Sequence, residues 1–127
     1  MLLEAACTAE GDVIAMPLSK RGEIWEADWA PLLPMLQDGR RSVAERAAAF
    51  HASLAAMLVA QARAISRESA FDRIGLAGGV FQNRRLTESV ARLAKAIGFE
   101  VVMAQRLPCN DAAISFGQLM EAACGDE

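Results

Sequence analysis

The chain has 127 residues, with 16 acidic and 13 basic side chains, one His and a formal net charge of −3, which fits a single domain over residues 1–127 with a real core. A charged fraction of 23% excludes a disordered tail, and a pI near 5.2 without a basic run excludes nucleic acid as the main ligand. No apolar run reaches the ~18 residues that a membrane helix needs, so no membrane partner is expected, and three cysteines without a C-x-x-C pair point to a reducing, cytoplasmic setting.

Leu2 to Ala6 reads as the end of a helix that begins before Met1, because a start on the first residue has no cap. The chain is therefore expected to be a piece of something longer. Gly11-Asp12 signals a turn, and Val13-Ile14-Ala15-Met16 reads as a short strand ended by Pro17. Residues 17–31 read as irregular, anchored by Trp25 and Trp29. Asp28 is a candidate cap for a short helix over Pro31 to Leu36, stopped by Asp38-Gly39.

The strongest pattern follows. Ser42-Val43-Ala44-Glu45 is a capping box. Val43, Ala47, Phe50, Leu54, Met57, Leu58 and Ile65 then recur at helical spacing, predicting a helix of about 25 residues, or ~38 Å. Alanine, about a fifth of the chain, suits close helix packing. Arg73 to Ala77 reads as a short strand running into Gly78-Gly79. Asn83 can cap a helix with Leu86, Val90, Leu93 and Ile97 inward, and Gly98 sits where that helix should end. Phe99 to Met103 reads as a strand and Gln105 to Cys109 as a loop. Asn110 or Asp111 starts a last helix with Ile114, Leu119, Met120 and Ala123 inward, ending at Gly125. Strand–helix–strand–helix order predicts an α/β fold with a short, mostly parallel sheet packed by long helices.

Two strand-to-helix junctions carry the chemistry. In Gly78-Gly79-Val80-Phe81-Gln82-Asn83, glycines admit positive φ and close approach of a ligand. The following helix offers N–H groups and a positive dipole end, which suit a nucleotide phosphate or ribose. The same sequence also serves as a tight turn with no ligand, since it is neither a Walker loop nor G-x-G-x-x-G. In Pro108-Cys109-Asn110-Asp111, Asp111 can ligate a metal, or Asn110 and Asp111 can hold ribose hydroxyls, or both simply cap a helix. His51, the lone histidine, cannot form a two-His metal site and reads as a satisfied histidine on the helix flank. Cys109 reads as structural, Cys7 and Cys124 as small apolar fillers. Arg84-Arg85 either reaches phosphate or is an exposed basic pair.

Leu76-Ala77-Gly78-Gly79-Val80-Phe81-Gln82-Asn83-Arg84, followed by Pro108-Cys109-Asn110-Asp111-Ala112-Ala113-Ile114-Ser115-Phe116-Gly117-Gln118, closely resembles the C-terminal end of the NiFe-hydrogenase maturation carbamoyltransferases, the HypF family. Ala49-Phe50-His51, Asp28-Trp29-Ala30-Pro31-Leu32-Leu33 and Met1-Leu2-Leu3-Glu4-Ala5 resemble it too, so the likeness spans essentially the whole chain. The resemblance implies the second lobe of a Kae1-like domain of the actin-like ATPase (RNase H-like) superfamily, within a much longer modular enzyme. It implies that Gly78, Gly79, Gln82, Asn83 and Asn110 contact an adenine nucleotide, ATP or carbamoyl-adenylate. Asp111 would be the one ligand this lobe gives to a divalent metal, whose histidine ligands belong to the first lobe. The whole enzyme would pass a carbamoyl group to the C-terminal cysteine of a HypE-like maturation partner.

Two departures stand out. The family often has Pro-Asn-Asp-Gly-Gly where this chain has Cys109-Asn110-Asp111-Ala112-Ala113, and alanine closes backbone regions open to glycine. The first lobe is missing, so the 127 residues alone are expected not to turn over. The alternative is a standalone, non-catalytic adenine-nucleotide-binding or assembly module that covers its cleft face by forming a homodimer.

Overall fold

The computed structural model describes residues 2–7 and 10–124. The chain enters through a single-turn helix, α1 (Leu2–Ala5); the expected helix start before Met1 lies outside the described residues. Residues 13–16, expected as a strand, form none. They run along the long helix instead, where the Ile14 N–H donates to Ser53 Oγ (2.8 Å) and Met16 is buried. Gly11 explains the path: a Cβ there would run into the backbone of Ala48 and Ala49, so only glycine lets the two backbones touch.

The stretch expected to be irregular holds a hairpin, β1 (Leu18–Arg21) and β2 (Ile24–Ala27), paired antiparallel with Leu18 opposite Ala27 and Arg21 opposite Ile24. Trp25 is half-buried and its carbonyl accepts from Gln61 Nε2 (2.7 Å), which makes it the anchor. Trp29 does not share that role, being 63% exposed. Asp28 Oδ1 accepts from the Ala30 N–H in a local turn but does not cap the next helix, α2 (Leu32–Gln37), whose first residue follows Pro31.

Helix α3 (Val43–Ser66) opens on the complete capping box between Ser42 and Glu45. By length and composition it could cross a membrane, contrary to the expectation from apolar runs. Its contacts assign it another role, because it packs against α1, α2, β2 and above all a later helix, α4 (Arg84–Ala96). Its buried positions are mostly small: Ala47, Ala48, Ala49, Ser53 and Ala55. The larger Phe50, Leu54, Met57 and Leu58 flank this seam half-buried, and Val43 and Ile65 are exposed. Small residues win the seam because they let backbones approach closely, and dispersion grows with the number of atom pairs in contact.

Strand β3 (Arg73–Leu76) pairs parallel with β4 (Glu100–Met103), Arg73 opposite Glu100 and Leu76 opposite Met103. Between them lie a 3-10 turn (Gly79–Gln82) and helix α4 (Arg84–Ala96). Leu86 and Val90 are buried as spaced, with Ala94 beside them, whereas Leu93 is half-buried and Ile97 is exposed past the helix end. A second 3-10 turn (Asp111–Ala113) leads into α5 (Ile114–Cys124). The α/β class holds, but in place of one mostly parallel sheet the described residues form two separate two-stranded sheets, one parallel and one antiparallel. The main core lies between α3, α4 and the β3–β4 pair, and a smaller one lies between α3, α2 and Met16.

Helix α5 departs most from expectation. Ile114, Leu119 and Met120 do not point inward; they are exposed, as is Phe116. No residue of α5 is buried, and Cys124 is exposed at its end rather than a filler. The expected stop at Gly125 lies outside the described residues.

Candidate functional site

Both glycine- and asparagine-bearing junctions stand at the carboxyl ends of the parallel strands, where open α/β sheets bind ligands. The structure joins them: the Gly78 N–H donates to the carbonyl of Cys109. Gly78 has φ +107° and ψ 153°, a conformation essentially reserved for glycine. That geometry turns the chain out of β3 and into the 3-10 turn, in which the Phe81 N–H bonds the Gly78 carbonyl. Gly79 lies beside Asn110, since a Cβ on it would sit 3.8 Å from the Asn110 Cβ. Gln82, at the end of the same turn, is exposed.

Asn83 is the cap of α4 as the spacing predicts, its Oδ1 accepting from the Leu86 N–H (2.9 Å). Its Nδ2 reaches His51 Nε2 at 2.7 Å. Asn110 caps the second junction, its Oδ1 accepting from the Ala112 N–H (3.1 Å). Asp111 follows, exposed at the first position of its 3-10 turn. So Gly78, Gly79, Asn110 and Cys109 converge directly, while Gln82, Asn83 and Asp111 flank them.

The first residues of the 3-10 turn leave the N–H groups of Gly79 and Val80 without a backbone acceptor among the described residues. These are the donors the turn can offer to an anion. The α4 N-terminus is less open than expected. The Leu86 N–H is taken by Asn83, and the Arg85 N–H donates to Glu4 Oε1 (3.0 Å) from α1. Arg84 faces Glu88 one turn on (2.6 Å), and that hydrogen bond, with the Glu88 charge, raises its pKa further. A nucleotide phosphate therefore fits the 3-10 turn better than the helix end.

A metal is a different matter. Among the described residues no three His, Cys, Asp or Glu side chains come together. One exposed carboxylate does not bind a divalent cation with useful strength, since such sites draw several ligands. The chain by itself does not build the metal site that Asp111 was expected to share.

His51 is satisfied, as expected from the sequence, but it lies in the buried seam rather than on the helix flank. It is 2% exposed, and its Nδ1 lies 2.8 Å from the Ala47 carbonyl and 3.5 Å from Cys7 Sγ. Cys7, His51 and Asn83 thus stand in the order of a thiol–imidazole–amide triad. The hydrogen bonding rules out that use. A carbonyl can only accept, so Nδ1 carries the proton and cannot take one from the thiol. Two signals in the sequence were available: His51 lies four residues from both Ala47 and Ala55 on the buried face, and a capping Asn leaves its NH2 seeking an acceptor. Thr87 was missed too; its Oγ1 donates to the Phe81 carbonyl (2.9 Å) and ties α4 back to the turn.

An apolar groove lined by Leu18, Trp25, Val59, Leu93 and Ile97 among others shares no residue with these turns.

The chain is 31% identical over 106 residues to the carbamoyltransferase HypF of Synechocystis sp., covering 83% of this chain and 13% of that protein. It is 36% identical over 97 residues to HypF of Rhodobacter capsulatus, covering 76% of this chain and 13% of that one. A crystal structure of full-length HypF in the phosphate- and nucleotide-bound form superposes with a TM-score of 0.84 at 27% identity, covering 94% of this chain and 16% of that one. The chain thus spans well under a fifth of the length of these relatives. Residues 1–118 match the family described as the carbamoyltransferase, Kae1-like domain, second subdomain, and the chain belongs to that HypF carbamoyltransferase family.

Proposed function

We propose that this chain is the nucleotide-facing second lobe of a carbamoyltransferase. In the whole enzyme, a carbamoyl group passes from carbamoyl-adenylate to the C-terminal cysteine thiol of a HypE-like partner in NiFe-hydrogenase maturation, in the cytoplasm. The observation that carries this reading is the hydrogen bond from Gly78 to Cys109, which draws two strand-to-helix turns together at the carboxyl edge of β3 and β4. The nucleotide-bound HypF structure, similar over 94% of this chain, supports a nucleotide as the ligand.

In this reading the Gly79 and Val80 N–H groups hold an oxygen of the adenylate. Gly79 keeps the turn free of side-chain bulk, while Asn83 and Asn110 hold the two turns in shape. Asp111, at the rim, supplies one ligand to a metal completed by the first subdomain. Half a cleft orients a nucleotide but does not surround the reacting carbamoyl group, so the isolated chain turns nothing over.

Calorimetry with ATP and AMP tests the site, comparing the wild type with Gly79→Val. Heat of binding in the wild type that is lost in the variant is expected; equal heats from both would remove the turn from the site. A second reading, a non-catalytic module that dimerises, draws on the exposed apolar side chains of α5 (Ile114, Phe116, Leu119 and Met120). Light scattering at micromolar concentration separates the two, because a monomer counts against the dimer.

A further inference from the structure

His51 is a buried polar side chain that the proposed chemistry does not use, yet both of its ring nitrogens are engaged. The bonding partners define its state. Asn83 Oδ1 accepts from the Leu86 N–H, so the other end of the carboxamide, the NH2, faces His51. Nε2 must therefore accept. Nδ1 faces the Ala47 carbonyl and must donate. Two independent partners thus require the same neutral tautomer, protonated on Nδ1.

We infer that His51 is a positioning residue that sets the Asn83 carboxamide and, through it, the Gly78–Gln82 turn. The ring is anchored on its own helix through Ala47 and further confined by the edge of Phe50 (5.7 Å between centroids). It fixes which end of the carboxamide faces α4, so that oxygen rather than nitrogen meets the Leu86 N–H. The Asn83 N–H then closes the 3-10 turn on the Val80 carbonyl (3.1 Å). The long helix α3 is by this route wired to the two N–H groups that face a ligand. The role assigned to the turn rests on the proposed nucleotide reading; the hold of His51 on Asn83 does not.

The test has two arms on the 127-residue chain. Nitrogen-15 NMR of the ligand-free wild type should show His51 protonated on Nδ1 and a slowly exchanging Asn83 carboxamide. His51→Phe keeps a ring of similar size without an acceptor; it should speed that exchange and shift the amides of residues 79–83. His51→Gln restores an acceptor near the Nε2 position and should bring them back. In the second arm, ATP affinity should fall about tenfold in His51→Phe, the scale of one lost hydrogen bond, and recover to within about threefold in His51→Gln.

An Nε2-protonated ring in the wild type overturns the inference even if His51→Phe does not fold. So does a folded His51→Phe that is less stable but leaves the turn amides and ATP affinity unchanged, which is the result of a purely structural histidine. If the wild type binds no ATP, the nucleotide reading falls, and the first arm still decides what His51 does.

Discussion

The two strand-to-helix junctions are close in sequence design and far apart in support. After β3, the turn feeds α4, whose Leu86, Val90 and Ala94 are buried, and it is pinned by Asn83, Thr87 and His51. After β4, the turn feeds α5, which buries nothing, and it is held by the Asn110 cap and the Cys109 carbonyl. One wall of the site is built by this chain; the other is only shaped by it. Local motifs place a turn, but tertiary contacts decide whether it is rigid.

The comparison breaks most visibly at the helices. Leu86→Ala, at a position 1% exposed, should cost about 2–5 kcal/mol, whereas Leu119→Ala, at one 69% exposed, should stay within about 0.5 kcal/mol, both read from urea midpoints. The caps should differ next. Asn83→Ala loses a cap and strands a buried imidazole nitrogen, about 2–3 kcal/mol together, against about 0.5–1 kcal/mol for Asn110→Ala; equal losses would mean His51 finds another donor. Within the first junction, Gly78→Ala should cost about 1–3 kcal/mol for its backbone conformation, and Gly79→Ala less than about 0.5 kcal/mol, seen as a split in thermal midpoints.

The smallest effect is acid sensitivity. Hydrogen bonds lower the pKa of Glu45 (from the Ser42 backbone N–H, then its hydroxyl), Asp38 (from the Arg40 side chain, then its backbone) and Glu68 (from Lys20). Each carboxyl binds protons less readily folded than unfolded. Its contribution is therefore present at neutral pH and lost as pH falls through the carboxylate range. Glu45→Gln should flatten the acid limb of a stability–pH curve slightly, as Glu45 and Glu68 are exposed to solvent and Asp38 is partly so.

Much of this arrangement was legible from local chemistry. The Ser42–Glu45 capping box, the Asn83 cap and the Gly78 turn are short-range signals, and all three stand where the spacing placed them. What failed depended on distant partners. Residues 13–16 alternate no differently from a strand, but Ser53 and the bare Gly11 backbone draw them onto α3. In the hairpin over 18–27, charged residues fill much of both strands and the contact with α3 runs through β2, so little apolar alternation is there to read. In α5 the apolar residues are present, but among the described residues none of them is buried.

The carboxylate of Glu4 on the Arg85 N–H has a consequence for ligand selection. It is an anion tethered at the helix end, and a tethered group competes at an effective concentration on the order of millimolar. A free anion must outcompete that internal occupant to claim the helix end, whereas a ligand reaching the Gly79 and Val80 donors need not. Under the proposed nucleotide reading, a small carboxylate or free phosphate is thereby disfavoured at the α4 end, and the edge favours molecules large enough to hold on elsewhere.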